Sequence, residues 1–239
     1  MIIYSIGCSH TYGHCLRNKS LVWSNIIMRS FSQNYSTFGI NFNKLNFESI
    51  KGVNDIFVND SVCGAGNDFI YHTTLENITL LIEGGKKPDY VFVQWSGPNR
   101  RQHCTPDGNI IYVNLFDNVE QGVKFEPMAS QHTIHYMYSL QEFLKSNDIK
   151  YYFFNYFGLD YSIKNLNVFK KIEFNNFLNF DLGENFLYEG LLNFMVKNNY
   201  SCDEYGHPNE DGNYFIANYL SNKIGVNIFD KNNDIKNII

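Results

Sequence analysis

Paired cysteines are missing from this sequence. Its five cysteines (Cys8, Cys15, Cys63, Cys104 and Cys202) are odd in number and include no CxxC spacing. Neither a zinc ribbon nor a disulfide framework is indicated, and reduced thiols are the expectation. Long apolar runs are missing too, since none approaches the roughly 20 residues that span a bilayer. The start, Met1-Ile2-Ile3-Tyr4-Ser5, lacks the basic region and extended apolar core of a signal peptide. A cytoplasmic location with no membrane span is therefore expected. Basic runs stop at pairs such as Lys86-Lys87 and Arg100-Arg101, and the net charge is -5. That argues against nucleic acid as a partner, because phosphate binding needs a basic face.

What is present suits one sizeable α/β unit. With 239 residues, 44% of them hydrophobic, and with neither an internal repeat nor a linker, residues 1–239 read as a single domain. Ile2 to Ile6 reads as a first strand, Asp55 to Val58 as a second, and the apolar runs Tyr90 to Trp95 and Tyr151 to Tyr156 as strands buried on both faces. Helical spacing of apolar residues marks Leu21 to Phe31, Asp68 to Glu83, Gln131 to Asn147 and Asp211 to Lys223. Strands alternating with helices predict a parallel sheet covered on both sides. Residues 97 to 128 read as an excursion with a hairpin around Asn109, and 157 to 200 show weak periodicity.

Ligands collect at the carboxyl ends of such strands. These ends carry Gly7-Cys8-Ser9-His10, Ser61-Val62-Cys63-Gly64, Ser96-Gly97-Pro98-Asn99 and Asn155. The run Gly7-Cys8-Ser9-His10-Thr11-Tyr12-Gly13 resembles the GDSLTxG block of SGNH (GDSL-type) hydrolases. Asn59-Asp60-Ser61-Val62-Cys63-Gly64 is similar to their second block, Gly97-Pro98-Asn99 to the third, and His207-Pro208-Asn209 with the preceding Asp203-Glu204 to the last. All four stand in the family's order. The resemblance implies a three-layer α/β sandwich with a central, mostly parallel, flavodoxin-like sheet. It also implies Ser9 as nucleophile, with an oxyanion hole from the backbone N–H groups of Ser9 and Gly64 and the amide of Asn99.

Residue chemistry fits that implication. A serine hydroxyl needs a base within hydrogen-bond reach, and His207 stands on a loop fixed by a helix whose start, Asn209-Glu210-Asp211, is a good cap. Two acids compete to orient the imidazole. Glu204 has the family's spacing, three residues before the histidine. Asp203 has the family's residue type one place earlier, and reaches if the Tyr205-Gly206 turn absorbs an extra residue, as glycine permits; Gly206 tips the reading toward Asp203. Three departures stand out: Cys8 and Arg100 replace family aspartates, and the histidine block is off register for Asp203. Cys8, His10, His14 and Cys15 alternate in direction along one turn and do not close a tetrahedron, so no metal is expected, and no cofactor either. His72, His103, His132 and His135 read as surface or satisfied core residues. The expected function is a serine esterase acting on a small acyl or acetyl ester, carbohydrate-linked ones included. An O-acyltransferase and a catalytically silent binding module are the alternatives.

Overall fold

A computed structural model describes residues 1–31, 36–38, 55–104, 110–114, 119–183, 185–203, 205–226 and 228. Its centre is a five-stranded sheet of β1 (Ile2–Ile6), β2 (Ser36–Phe38), β3 (Ile56–Asn59), β4 (Tyr90–Trp95) and β7 (Lys150–Asn155). The order is β2-β3-β1-β4-β7, and every pairing is parallel. A separate antiparallel hairpin joins β5 (Arg100–Cys104) to β6 (Ile110–Asn114); the residue expected at its turn, Asn109, lies outside the described residues.

Alternation along the strands decides what each face buries. Tyr4, Ile6, Val58, Val93, Trp95 and Phe153 face α3 (Asn67–Glu83) and α4 (Val119–Ser146), packing with Ile70, Ile78, Ile134 and Leu140. Ile3, Phe57, Phe92 and Phe154 face the other way, toward α2 (Trp23–Phe31) and α7 (Glu210–Ile224), where Trp23, Ile26, Ala217 and Leu220 meet them. Each large side chain buried this way stabilises the fold by about 1.5–3 kcal/mol. The three-layer α/β sandwich expected from the alternating pattern is the architecture found.

Differences lie where the periodicity is weak. Helix α4 begins at Val119 rather than Gln131 and runs through Pro127, a residue that ordinarily ends a helix pattern. Strand β2 has only three residues, too few for an alternation to register. Between 157 and 200 the chain forms short 3₁₀ turns and two brief helices, α5 (Phe186–Glu189) and α6 (Leu192–Lys197). Part of this segment shields the outer edge of β7, where Phe177 bridges Phe153.

One buried carboxyl sits just past β3. Asp60 is 4% exposed, and its Oδ2 accepts a 2.6 Å hydrogen bond from Asn77 Nδ2. Burial raises it to about 6 despite hydrogen bonds from Tyr4 and Asn77. The native state thus holds this proton more tightly than the unfolded chain, so the stability present below the unfolded pKa of 3.8 is lost as pH rises through about 6. The loss amounts to about 3 kcal/mol. Asp60→Asn, which keeps the shape and cannot ionise, should match the native protein near pH 4 and melt higher near pH 8. Thermal melts across that range check it; equal pH slopes in both proteins would contradict the assignment.

Candidate active site

Sheet order puts the candidate residues side by side. Strand β1 lies between β3 and β4, so its carboxyl end, which leads into the one-turn helix α1 (Ser9–Tyr12), is flanked by the ends bearing Gly64 and Asn99. The neighbouring loops are tied together: Val62 N–H donates to Gly7 O at 3.2 Å, and Asn67 bridges to both Ser96 N and Ser96 O. From the far end of the chain His207 swings over this floor. Its Nε2 lies 2.9 Å from Ser9 Oγ, and its Nδ1 lies 2.6 Å from Asp203 Oδ2.

The loop carrying His207 is held from several directions. Its backbone N–H donates to Asp203 Oδ1, and the buried Tyr156 hydroxyl donates to Gly206 O. Gly206 has φ +74, and a Cβ there would meet Leu192 Cδ1, so glycine provides both the left-handed turn and the space. Downstream, the Asn209 side chain caps α7 by accepting from Gly212 N. Of the two acids open from sequence, the structure brings Asp203 onto the imidazole; Glu204 lies outside the described residues.

Three donors on these adjoining strand ends have no acceptor of their own among the described residues. Asn99 is 1% exposed, and neither its Nδ2 nor its Oδ1 has a partner among the described residues. A buried amide in that state is costly and is free to bind an incoming acceptor. The backbone N–H groups of Ser9 and Gly64 likewise bond to nothing among the described residues. Gly64 itself has φ 82.

The overall fold matches known structures. An esterase from Pseudoalteromonas superposes with TM-score 0.52 at 11% identity, covering 94% of this chain and 96% of its own. An acetylxylan esterase from Geobacillus stearothermophilus gives 0.52 at 14%, over 96% and 97%. A protein from Desulfitobacterium hafniense assigned to the G-D-S-L lipolytic family gives 0.51 at 15%, over 93% and 98%. The fold is that of the SGNH hydrolases. No protein-family model and no curated protein matches the chain by sequence.

Within this SGNH fold the imidazole of His207 is one ring of a column. His10 stacks on it at 4.6 Å and 19°, Tyr156 packs against the other side of His10 at 3.8 Å, and His14 lies 4.8 Å from His207. In the sequence His10 and His14 stand only as rejected metal ligands; nothing in it shows that a turn will set them against a ring 197 and 193 positions away. Burial, then the neighbouring His10 and His14, push His207 down, outweighing the Asp203 carboxylate. Asp203 moves down as well, because its bonds to His207 outweigh its burial. The pair therefore rests as a carboxylate beside a neutral imidazole, the state in which Nε2 can accept a proton from Ser9.

The cysteines correct one expectation. Cys15 and Cys202, 187 residues apart with Cα atoms 6.4 Å from each other, form a disulfide. It links the turn after Ser9 to the residue before Asp203, and Cys15 Sγ lies 3.3 Å from Asp203 Oδ2. Odd cysteine number and absent motif spacing had pointed to free thiols; long-range pairing leaves no local signature. Cys15, Asp203 and His207 also present ligand atoms within 4.8 Å of one another, but Cys15 is bound to Cys202 and Asp203 to His207. Cys8 is fully buried, with its Sγ 3.0 Å from His10 Nδ1. Burial opposes its ionisation, yet His10 and then Arg100 bring the thiol well below its usual range.

Other candidates stay apart. His132 contacts Arg101 and His72 packs on Tyr71 and Tyr136, so neither joins Ser9; His103 belongs to β5. Asn155 is buried with an unpartnered amide beside Trp95. A cavity of about 300 Å³ lined by Phe169, Phe174, Phe177, Phe186 and Tyr188 shares no residue with the site.

Two outcomes follow from this geometry. The acid limb of any His207-dependent rate should fall below the usual histidine value of 6.5, and replacing exposed His14 by Gln should move it upward; a pH–kcat/KM profile unmoved in the variant would contradict the coupling. Thiol titration of the denatured protein should rise by two equivalents on reduction. Cys15→Ser/Cys202→Ser should lower stability by up to about 5 kcal/mol, given the long loop closed, as read by denaturant unfolding.

Proposed function

We propose that the chain is a serine ester hydrolase working through an acyl-Ser9 intermediate on a small acyl or acetyl ester, carbohydrate-linked esters included. The observation that carries this reading is the unbroken hydrogen-bond chain Ser9–His207–Asp203. In the first step Ser9 Oγ attacks the ester carbonyl as its proton passes to His207 Nε2. The carbonyl electrons move to the oxygen, where Asn99 Nδ2 and the N–H groups of Ser9 and Gly64 receive the charge. The oxyanion then collapses, the alcohol departs with the proton from His207, and water repeats the sequence to release the acid. Asp203 remains ionised throughout, fixing the imidazole tautomer and stabilising the imidazolium.

Similarity to esterases, one of them inhibited by monoethylphosphonate and another named an acetylxylan esterase, supports this choice of chemistry. No site residue calls for a cofactor. Cys8, although near His10, is buried behind the turn, and Ser9 is the group in contact with the base.

A fluorophosphonate probe should label Ser9, located by peptide mapping. Ser9→Ala should lose about a thousandfold or more in rate while remaining folded, and Asn99→Ala about a hundredfold in kcat with little change in KM. Asp203→Asn should be severely slowed, whereas Cys8→Ser should stay active. Normal turnover by purified Ser9→Ala would refute the reading, and a dead Cys8→Ser beside an active Ser9→Ala would make the protein a thiol hydrolase.

A further inference from the structure

Arg100 stands directly after Asn99 and has no counter-ion among the described residues. Its N–H donates to Gly97 O, which turns the chain at the end of β4. Its guanidinium lies over the Phe157 ring at 5.1 Å. Phe157 in turn meets His10 edge-on at 5.3 Å, and His10 stacks on His207. One aromatic ring therefore separates this cation from the imidazole beside the candidate base.

The same charge is felt on both walls of the site. It favours ionisation of Cys8, the residue before Ser9, and of Cys63, the residue before Gly64, in each case against burial, which raises the thiol. The guanidinium's charge therefore reaches both the nucleophile turn and the loop of the proposed oxyanion hole.

Its hydrogen-bonding capacity is almost unused. Among the described residues its only polar contact is from NH1 to Ser96 Oγ, at 3.4 Å. Among the described residues no carboxylate lies within ion-pair distance of it, whereas Lys87, Lys145 and the N-terminus all have acids. Asp203, the acid of the candidate site, is held by His207. A half-buried guanidinium is planar, always charged, and offers paired donors suited to a carboxylate. In a chain of net charge -5, an unpaired cation fixed at this place favours an anionic ligand.

We propose that Arg100 binds an anionic group on the substrate, so that the preferred substrate is an ester with a carboxylate or similar monoanion a few bonds from its carbonyl. This rests on the hydrolase reading above and narrows its substrate class. The ester group is attacked by Ser9 while the second, ionised group lies against Arg100, and the acid takes no part in bond making.

The test compares monomethyl glutarate with dimethyl glutarate, the same chain with its charge masked, by pH-stat hydrolysis. The native protein should favour the half-ester in kcat/KM by about tenfold or more, the range of a charge-assisted hydrogen bond. The preference should shrink in high salt and vanish in Arg100→Gln. Arg100→Lys, which keeps the charge, should retain a preference of the same sign. Equal or faster turnover of the diester by the native protein overturns the role of Arg100 while leaving the hydrolase in place. Loss of the preference in the lysine variant as complete as in the glutamine variant also overturns it, assigning the effect to packing on Phe157. If neither ester is turned over and the fluorophosphonate leaves Ser9 unlabelled, the hydrolase reading itself falls.

Discussion

The 2.9 Å contact between His207 Nε2 and Ser9 Oγ joins residues 198 positions apart, and much of the surrounding structure keeps that distance. From below, the β3-β1-β4 arrangement fixes Ser9 at the centre of the sheet's carboxyl edge. From above, the capped start of α7, the left-handed Gly206 and the Tyr156 hydroxyl fix the histidine loop. The Cys15–Cys202 link binds the two halves covalently. A displacement of an ångström at such a contact removes most of the benefit of prepositioning, so several independent restraints on one short loop are physically reasonable.

Electrostatics around this contact pull in opposite senses. Asp203 alone would draw a proton onto His207, whereas burial and the flanking His10 and His14 resist it. The net result keeps the imidazole basic enough to accept a proton and neutral while it waits. Stacked imidazoles are an unusual way to reach that balance, since a single apolar wall would serve. Here the wall includes two imidazole rings, and both His10 and His14 oppose protonation of His207.

Much of this was legible in the sequence, for definite reasons. The runs at Tyr90–Trp95 and Tyr151–Tyr156 are long and apolar enough to announce buried parallel strands, and they lie within a residue of β4 and β7. The stretches carrying Ser9, Gly64 and Asn99 stand out because strand termini are where such sheets carry chemistry, and their proposed roles came from the resemblance to SGNH hydrolases. Asp203 was favoured because Gly206 allowed an extra residue in the turn, and the observed φ of +74 is that allowance. What escaped had no local signal. The Cys15–Cys202 pairing, the ring column and the placement of Arg100 over Phe157 are contacts across long stretches of chain, and no periodicity encodes them. Helix α4 extends upstream of Gln131 to Val119, through Pro127, where no clear helical spacing of apolar residues marks it.

The division of the site between distant parts of the chain has a consequence during synthesis. Ser9 emerges from the ribosome long before His207, and at ordinary elongation rates the interval is about 10–40 s. Throughout that time the serine has no base and Asp203 does not yet exist, so the nascent chain carries an ordinary hydroxyl among cellular esters. The proposed Ser9–His207 pair can form only when α7 docks against the sheet and brings the loop with it. The architecture thus makes assembly of that pair a late event of folding, coincident with closure of the helical layer formed by α2 and α7.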